Sequence, residues 1–257
     1  MEFLSASNKR IKRIQALQRS AKDRREEDVF IAEGVRMYKE APPELLTEVY
    51  LNGACHHEQN VNEVPGCEYF EVDSATFSKI SDTQTPQGVL MVLKRPHYTL
   101  EDVTNGDEPL ILILENLQDP GNLGTILRVG EAAGVTGVIM SKGTVDIFNP
   151  KVVRSTMGSI CRMPCTYVDD IEQVTKDLKT RGITTYAAHL EGSEIYTDYD
   201  YKKPTAFMIG NEGNGLTDEI TALADNKLFI PMEGSVESLN AGIAAAVLSY
   251  EAHRQRH

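Results

Sequence analysis

No stretch of this chain is apolar for long enough to cross a membrane as a helix. The amino terminus "MEFLSASNKRIKRIQALQ" also has no continuous apolar segment behind its charges. These absences argue against secretion and insertion, and the expectation is a cytosolic protein. Cysteine is scarce too: Cys55, Cys67, Cys161 and Cys165 form no Cys-x-x-Cys pair and match no common zinc spacing. Reduced, packed thiols are expected, with neither a disulfide framework nor a structural metal. His56 and His57 stand beside Cys55, but Gly53 and Glu58 around them read as a solvated loop. Positive charge is in deficit, with a net charge of −12, which excludes a surface coated uniformly for nucleic acid. Finally, the chain has no Gly-x-Gly-x-x-Gly after a strand, which weakens a nicotinamide-dependent oxidoreductase.

What is present begins with an asymmetry of charge. Lys9, Arg10, Lys12, Arg13, Arg19, Lys22, Arg24 and Arg25 crowd the start of the chain, opposed there only by Glu2 and Asp23. That is a basic arm on an acidic protein, with Lys9, Lys12, Arg13 and Arg24 as candidates for contact with a phosphate backbone. Ile11, Ile14 and Leu17, with Leu4, add an apolar stripe at helical spacing, so the same segment also reads as an amphipathic helix with a solvated face.

Up to about residue 94, helical patterns mix with the strands "VFIAEG", "LTEVYLN" and "GVLMVL", a small α+β unit over residues 1–95. "KRPHYTLEDVTNGDEP" then reads as a linker, because its prolines, Asn-Gly and charge run leave little apolar periodicity. From residue 106 to 257 short apolar strands alternate with helical patterns, which predicts an α/β domain on a parallel sheet.

Ligands of open α/β sheets bind beyond the carboxyl ends of the strands. Three strand ends stand out: "ENLQDPGNLGTILR", "FMIGNEGNGL" and "LFIPMEGSVESLNAGIAAAVLSYE". Each joins glycine, which allows close approach, to polar groups able to orient a ligand: Asn122 and Arg128, then Asn211 and Glu212, then Ser238 and Asn240. Singly, each is readable as a tight turn with a helix cap, with Ser238 or Asn240 as N-cap and Gly213 or Gly215 as a left-handed turn residue. On successive strand ends of one sheet, they outline one pocket.

At these stretches the sequence resembles the SpoU/TrmH-type branch of the SPOUT superfamily of RNA ribose 2′-O-methyltransferases. Asn-x-Gly-x-x-x-Arg at Asn122, Gly124 and Arg128 is similar to the family's first motif, "IGNEG" around Glu212 to its second, and "IPMEGSVESLN" with its alanine-rich helix to its third. "FNPKVVRSTMGSI" is similar to ribosomal-RNA members. The basic helix and "FIAEGVRMYKEA" resemble, less sharply, the small amino-terminal RNA-binding domain that such members carry. One departure is Ala241-Gly242 after "SLN", where a small residue and then serine is more usual.

The resemblance implies S-adenosylmethionine as cofactor, bent into a deep carboxyl-terminal trefoil knot that sequence patterning alone would argue against. It implies Arg128, Asn122, Glu212, Ser238 and Asn240 as catalytic residues. It implies Gly210, Ile230, Leu239, Leu190, Asn211, Gly213 and Met232 as cofactor contacts, and a homodimer with shared sites. Ribosomal RNA is the expected substrate. The alternatives are transfer RNA, or a non-catalytic RNA-binding protein on the same fold. No metal and no membrane partner are expected.

Overall fold

A computed structural model describes residues 1–53, 61–190, 194–235 and 238–257. Cys55, His56, His57 and Glu58 lie outside the described residues. The chain divides into two compact units: residues 1–96 with 146–161, and residues 97–145 with 162–257. This division differs from a single cut at the linker. Residues 97–109 belong to the second unit, and the stretch "DIFNPKVVRSTMGSIC" between two of its strands belongs to the first.

Among the described residues the first unit is built on five strands: β1 (Glu2–Phe3), β2 (Val29–Glu33), β3 (Leu46–Asn52), β4 (Glu68–Val72) and β5 (Val89–Lys94), in the spatial order β1-β4-β3-β5-β2. The sheet is mixed, parallel across β1, β4 and β3 and antiparallel across β3, β5 and β2. The basic segment forms the helix Lys9–Arg19, capped by the Asn8 side chain on the Arg10 amide. Its apolar stripe Ile11, Ile14 and Leu17 is buried with Leu4 against Phe70, Phe77 and Leu90. Within the same unit, Phe148 from the inserted stretch lies 5.1 Å from the Phe30 ring centroid, and the Arg95 guanidinium lies over its ring.

Among the described residues the second unit carries seven strands: β6 (Leu110–Leu114), β7 (Gly137–Ser141), β8 (Cys165–Val168), β9 (Thr184–Ala188), β10 (Glu194–Ile195), β11 (Thr205–Ile209) and β12 (Asn226–Phe229). Their order is β10-β12-β9-β11-β6-β7-β8, and every pairing is parallel. "LILIL" of β6 is buried at all five positions, as a strand covered on both faces requires. The linker reading needs correcting in one respect. Leu100–Val103 is a short helix with a Thr99/Asp102 capping box, and Val103 is buried in the core of this unit.

This order places the site. The chain leaves β6 toward β7 on one side, whereas β11 lies on the other side of β6, so the direction of winding reverses between them. Such a switch point opens a crevice at the carboxyl ends of the two strands. The register aligns Ile209 with Leu114, which brings the residues after them together.

Candidate active site

The first loop turns from β6 into the helix Pro120–Ala133. Asp119 caps it by accepting from the Asn122 amide at 2.9 Å, and Pro120 at the first position needs no amide partner. The second loop, after β11, folds back on itself through paired backbone bonds between Asn211 and Gly215. That reversal explains Gly210. A Cβ there would lie 2.0 Å from the Gly215 carbonyl carbon, so no other residue fits. Buried Glu115 ties the same loop to β6 by accepting from the Thr217 amide and hydroxyl, each at 2.8 Å. The third loop ends at Asn240, whose Oδ1 caps the helix Ala241–Arg256 by accepting from the Gly242 amide at 2.9 Å.

Three side chains from the three loops join in one chain of hydrogen bonds. Glu212 accepts from the Asp119 amide at 2.8 Å, the Gln118 amide at 3.0 Å and Asn122 Nδ2 at 2.9 Å. Asn122, which is buried, accepts at Oδ1 from Asn240 Nδ2 at 2.8 Å. Burial works against the charge on Glu212, but the Asn122 side chain and the two amides outweigh it and hold the carboxyl below the usual glutamate range. The site therefore contains an anchored carboxylate that stays ionised near neutrality. Such a group serves to hold loops in place.

The remaining expected residues are distributed around this junction. Gly210 is buried, Asn211, Ile230, Met232 and Leu239 are half-buried, and Gly213 and Ser238 are exposed. Asn211 donates from Nδ2 to the Asn116 carbonyl at 2.9 Å, while its Oδ1 accepts from the Gly213 and Asn214 amides. Leu190 follows β9 and is 66% exposed, an apolar side chain at the same edge of the sheet as the loops. Arg128 is exposed and takes no part in the Asn122–Glu212–Asn240 chain. Six residues beyond Asn122, it lies about 9 Å further along the helix and on a different face.

The carboxyl-terminal helix turns its β-branched and its small residues to different sides. Ile243 and Val247 do not pack inward: Ile243 is 49% exposed and Val247 half-buried, while Ala241, Ala245, Leu248 and Ala252 form the buried face. The small residues let this helix approach Pro120–Ala133 closely. A Cβ on Gly242 would stand 3.2 Å from Thr125 Cγ2, so the departure to glycine fits a tight crossing of two helices.

In the first unit the basic arm separates into two groups. Lys9, Lys12 and Arg19 are exposed along one face of their helix. Arg13 instead binds Glu27 at 2.6 Å and Glu48 at 3.0 Å, and Arg10 binds Glu48 and Glu68. Arg24 is only 3% exposed, paired with Asp146 at 2.5 Å and donating to the Leu17 and Gln18 carbonyls. Arg24 is thus a buried structural cation rather than a free phosphate ligand.

Sequence reasoning missed Asp119, Gln118, Glu115 and Thr217. The Asp-Pro step marks Asp119 as a cap, whereas nothing in local pattern connects Glu115 to Thr217. Among the described residues no cluster of His, Cys, Asp and Glu could hold a metal ion, and no helix is long and apolar enough to cross a membrane.

The model of the SpoU rRNA Methylase family matches residues 109–250, and that of the MRM3-like substrate binding domain matches residues 8–91. The 23S rRNA (guanosine(2553)-2'-O)-methyltransferase RlmP of Bacillus subtilis (strain 168) is 30% identical over 248 residues, covering 96% of each chain. The crystal structure of an AdoMet-bound rRNA methyltransferase from Sinorhizobium meliloti superposes with a TM-score of 0.86 at 31% identity, over 98% of this chain and 97% of that one. The SpoU methyltransferase AviRb from Streptomyces viridochromogenes, in complex with AdoMet, gives 0.85 at 27% identity, over 97% and 98%. With three motif loops joined at the switch point of a parallel sheet, and a family model matched across them, this chain belongs to the SpoU rRNA methylase family.

Proposed function

We propose that this protein transfers the methyl group of S-adenosylmethionine to a ribose 2′-hydroxyl of ribosomal RNA. The observation that carries the reading is the hydrogen-bonded chain Glu212–Asn122–Asn240, which fastens all three loops to one crevice. The residues around that crevice suit the cofactor. Buried Gly210 removes a side chain from the loop backbone, while half-buried Ile230, Met232 and Leu239 and exposed Leu190 offer apolar surface to an adenine. Bound there, the cofactor supplies a methyl carbon already activated by a sulfonium leaving group. The chain's own task is to position the acceptor oxygen in line and give its proton a way out.

Arg128 serves the positioning, and a phosphate held beside its guanidinium relays the hydroxyl proton to water. A guanidinium is a poor general base, but it clamps a phosphate or ribose by parallel charge-assisted bonds and places positive charge beside a developing alkoxide. Its exposure is the supporting observation, since the guanidinium is open to an incoming RNA. Ser238 and Asn240 order the third loop, and Asn211 and Gly213 shape the second. Lys9 and Lys12 contact the RNA backbone from the first unit, which serves as the substrate-binding domain, while the second unit is the methyltransferase domain.

The same reading extends to assembly and chain path. The Ala241–Arg256 helix presents Ile243, Val247 and Tyr250 outward, with Tyr250 48% exposed, and this apolar face suits the two-fold axis of a homodimer. In that dimer Arg128 of one subunit serves the cofactor of the other. The carboxyl-terminal loops form a trefoil knot, consistent with β11 lying between β9 and β6. The protein works in the cytoplasm. The test is a map of 2′-O-methyl groups in total RNA with and without the gene. Loss of a ribosomal-RNA site is expected, whereas loss only in transfer RNA, or no loss, overturns the reading.

A further inference from the structure

One residue at this site is assigned no role by the motifs, yet holds both flanks of Glu212. Asn116, the second residue after β6, has φ +54°, in the left-handed region that side-chain-bearing residues rarely adopt and asparagine tolerates best. The turn of the backbone there aims its carbonyl into the site. That oxygen accepts from Asn211 Nδ2 at 2.9 Å and from Gln118 Nε2 at 3.1 Å. Asn211 precedes Glu212 in the chain, and the Gln118 amide is one of the donors to the Glu212 carboxylate. The left-handed turn is itself held by β7: the Asn116 amide donates to Ser141 Oγ at 2.8 Å, and that hydroxyl donates to Asn116 Oδ1 at 3.1 Å.

We infer that Asn116 is a positioning residue whose left-handed backbone sets the register of the loops after β6 and β11 against β7, and so the placement of Glu212 and the cofactor-binding loop. The inference rests on the proposed function for its catalytic consequence, but its geometry is independent of it. What matters is the direction of the carbonyl. A residue that enters the left-handed region freely preserves the arrangement, and one that resists it lowers the fraction of molecules with the loops in register.

The experiment compares the full-length protein with Asn116→Gly, Asn116→Ala and Ser141→Ala. S-adenosylhomocysteine binding is measured by calorimetry, methyl transfer to ribosomal RNA as kcat and KM, and the Glu212 carboxyl titration by carbon-13 NMR, assigned with Glu212→Gln. Circular dichroism establishes that each variant is folded. The expected result is near-normal binding and titration for Asn116→Gly. For Asn116→Ala, a roughly tenfold weaker S-adenosylhomocysteine affinity is expected, with the Glu212 titration moved upward. Ser141→Ala falls between them.

Equal behaviour of the glycine and alanine variants overturns the inference: if both are normal the turn carries nothing, and if both are impaired the side-chain oxygen carries the effect. If the parent protein binds S-adenosylhomocysteine but methylates no RNA, the functional reading fails. The NMR comparison then still decides the role of Asn116.

Discussion

Asn240 Nδ2 donates to Asn122 Oδ1 at 2.8 Å, across 118 residues of sequence, and fastens the start of the carboxyl-terminal helix to the start of the helix after β6. Each asparagine acts twice. Asn240 caps its own helix through Oδ1, and Asn122 donates to Glu212 through Nδ2. Because Asn122 is buried between them, losing its amide removes the partner of Asn240 Nδ2 and one of the three donors to Glu212.

Asn122→Ala is therefore expected to lower unfolding stability by about 1–3 kcal/mol. It should also weaken cofactor binding. Urea unfolding, followed in parallel with calorimetric titration of S-adenosylhomocysteine, checks both. A variant with normal stability and normal binding removes Asn122 from the centre of the site.

The pH dependence follows from Glu212. Its folded-state pKa is depressed, so its contribution to stability is present in full above the ordinary glutamate range and is lost as pH falls through the lower folded value. Glu212→Gln should then show a shallower loss of stability between about pH 6 and about pH 3 than the parent protein. An acid limb equally steep in both assigns the linkage to other carboxylates.

The basic arm divides by burial. Reversing Lys9 and Lys12 to glutamate should weaken RNA binding and flatten its salt dependence by about one unit of slope for each phosphate no longer bound, with cofactor affinity intact. Arg24→Glu should act differently. A like charge placed against Asp146 in a buried site costs about 3–5 kcal/mol, read as unfolding of the first unit. An unchanged salt slope after the lysine reversals returns the exposed face to simple solvation.

The two halves of the molecule differ in what their sequence makes legible. The parallel sheet is readable because "LILIL" and "TAFMI" are buried at every position and alternate with helical patterns. The three loops are readable because glycine, asparagine and a carboxylate recur at the carboxyl ends of three strands, β6, β11 and β12. Pairings across the chain are not, since local periodicity carries no information about Glu48, 35 residues from Arg13, or Asp146, 122 residues from Arg24. The same limit hides the inserted stretch around Phe148. The Leu100–Val103 helix is legible in its Thr99-x-x-Asp102 box, yet the prolines and Asn-Gly around it outweigh one turn of helix in any pattern reading.

Shared sites are testable by complementation. Arg128→Ala should reduce methyl transfer by about a hundredfold or more while leaving cofactor affinity nearly unchanged. The complementary lesion is Gly210→Ala, because even a methyl group meets the Gly215 backbone there. Each homodimer should be inactive, and confirmed heterodimers should recover part of the activity through the one intact pair of Arg128 and cofactor loop. An active monomer by sedimentation, or heterodimers as inactive as the parents, excludes the shared arrangement.

The central claim is the reaction itself, and it is tested most directly by incubating the purified protein with ribosomal RNA and S-adenosylmethionine labelled in its methyl group, followed by alkaline hydrolysis of the product. A 2′-O-methylated ribose blocks hydrolysis of its own phosphodiester. The predicted result is label retained in an alkali-resistant dinucleotide from one ribosomal-RNA site, abolished by Arg128→Ala. Label on a base, or no label at all, would contradict it.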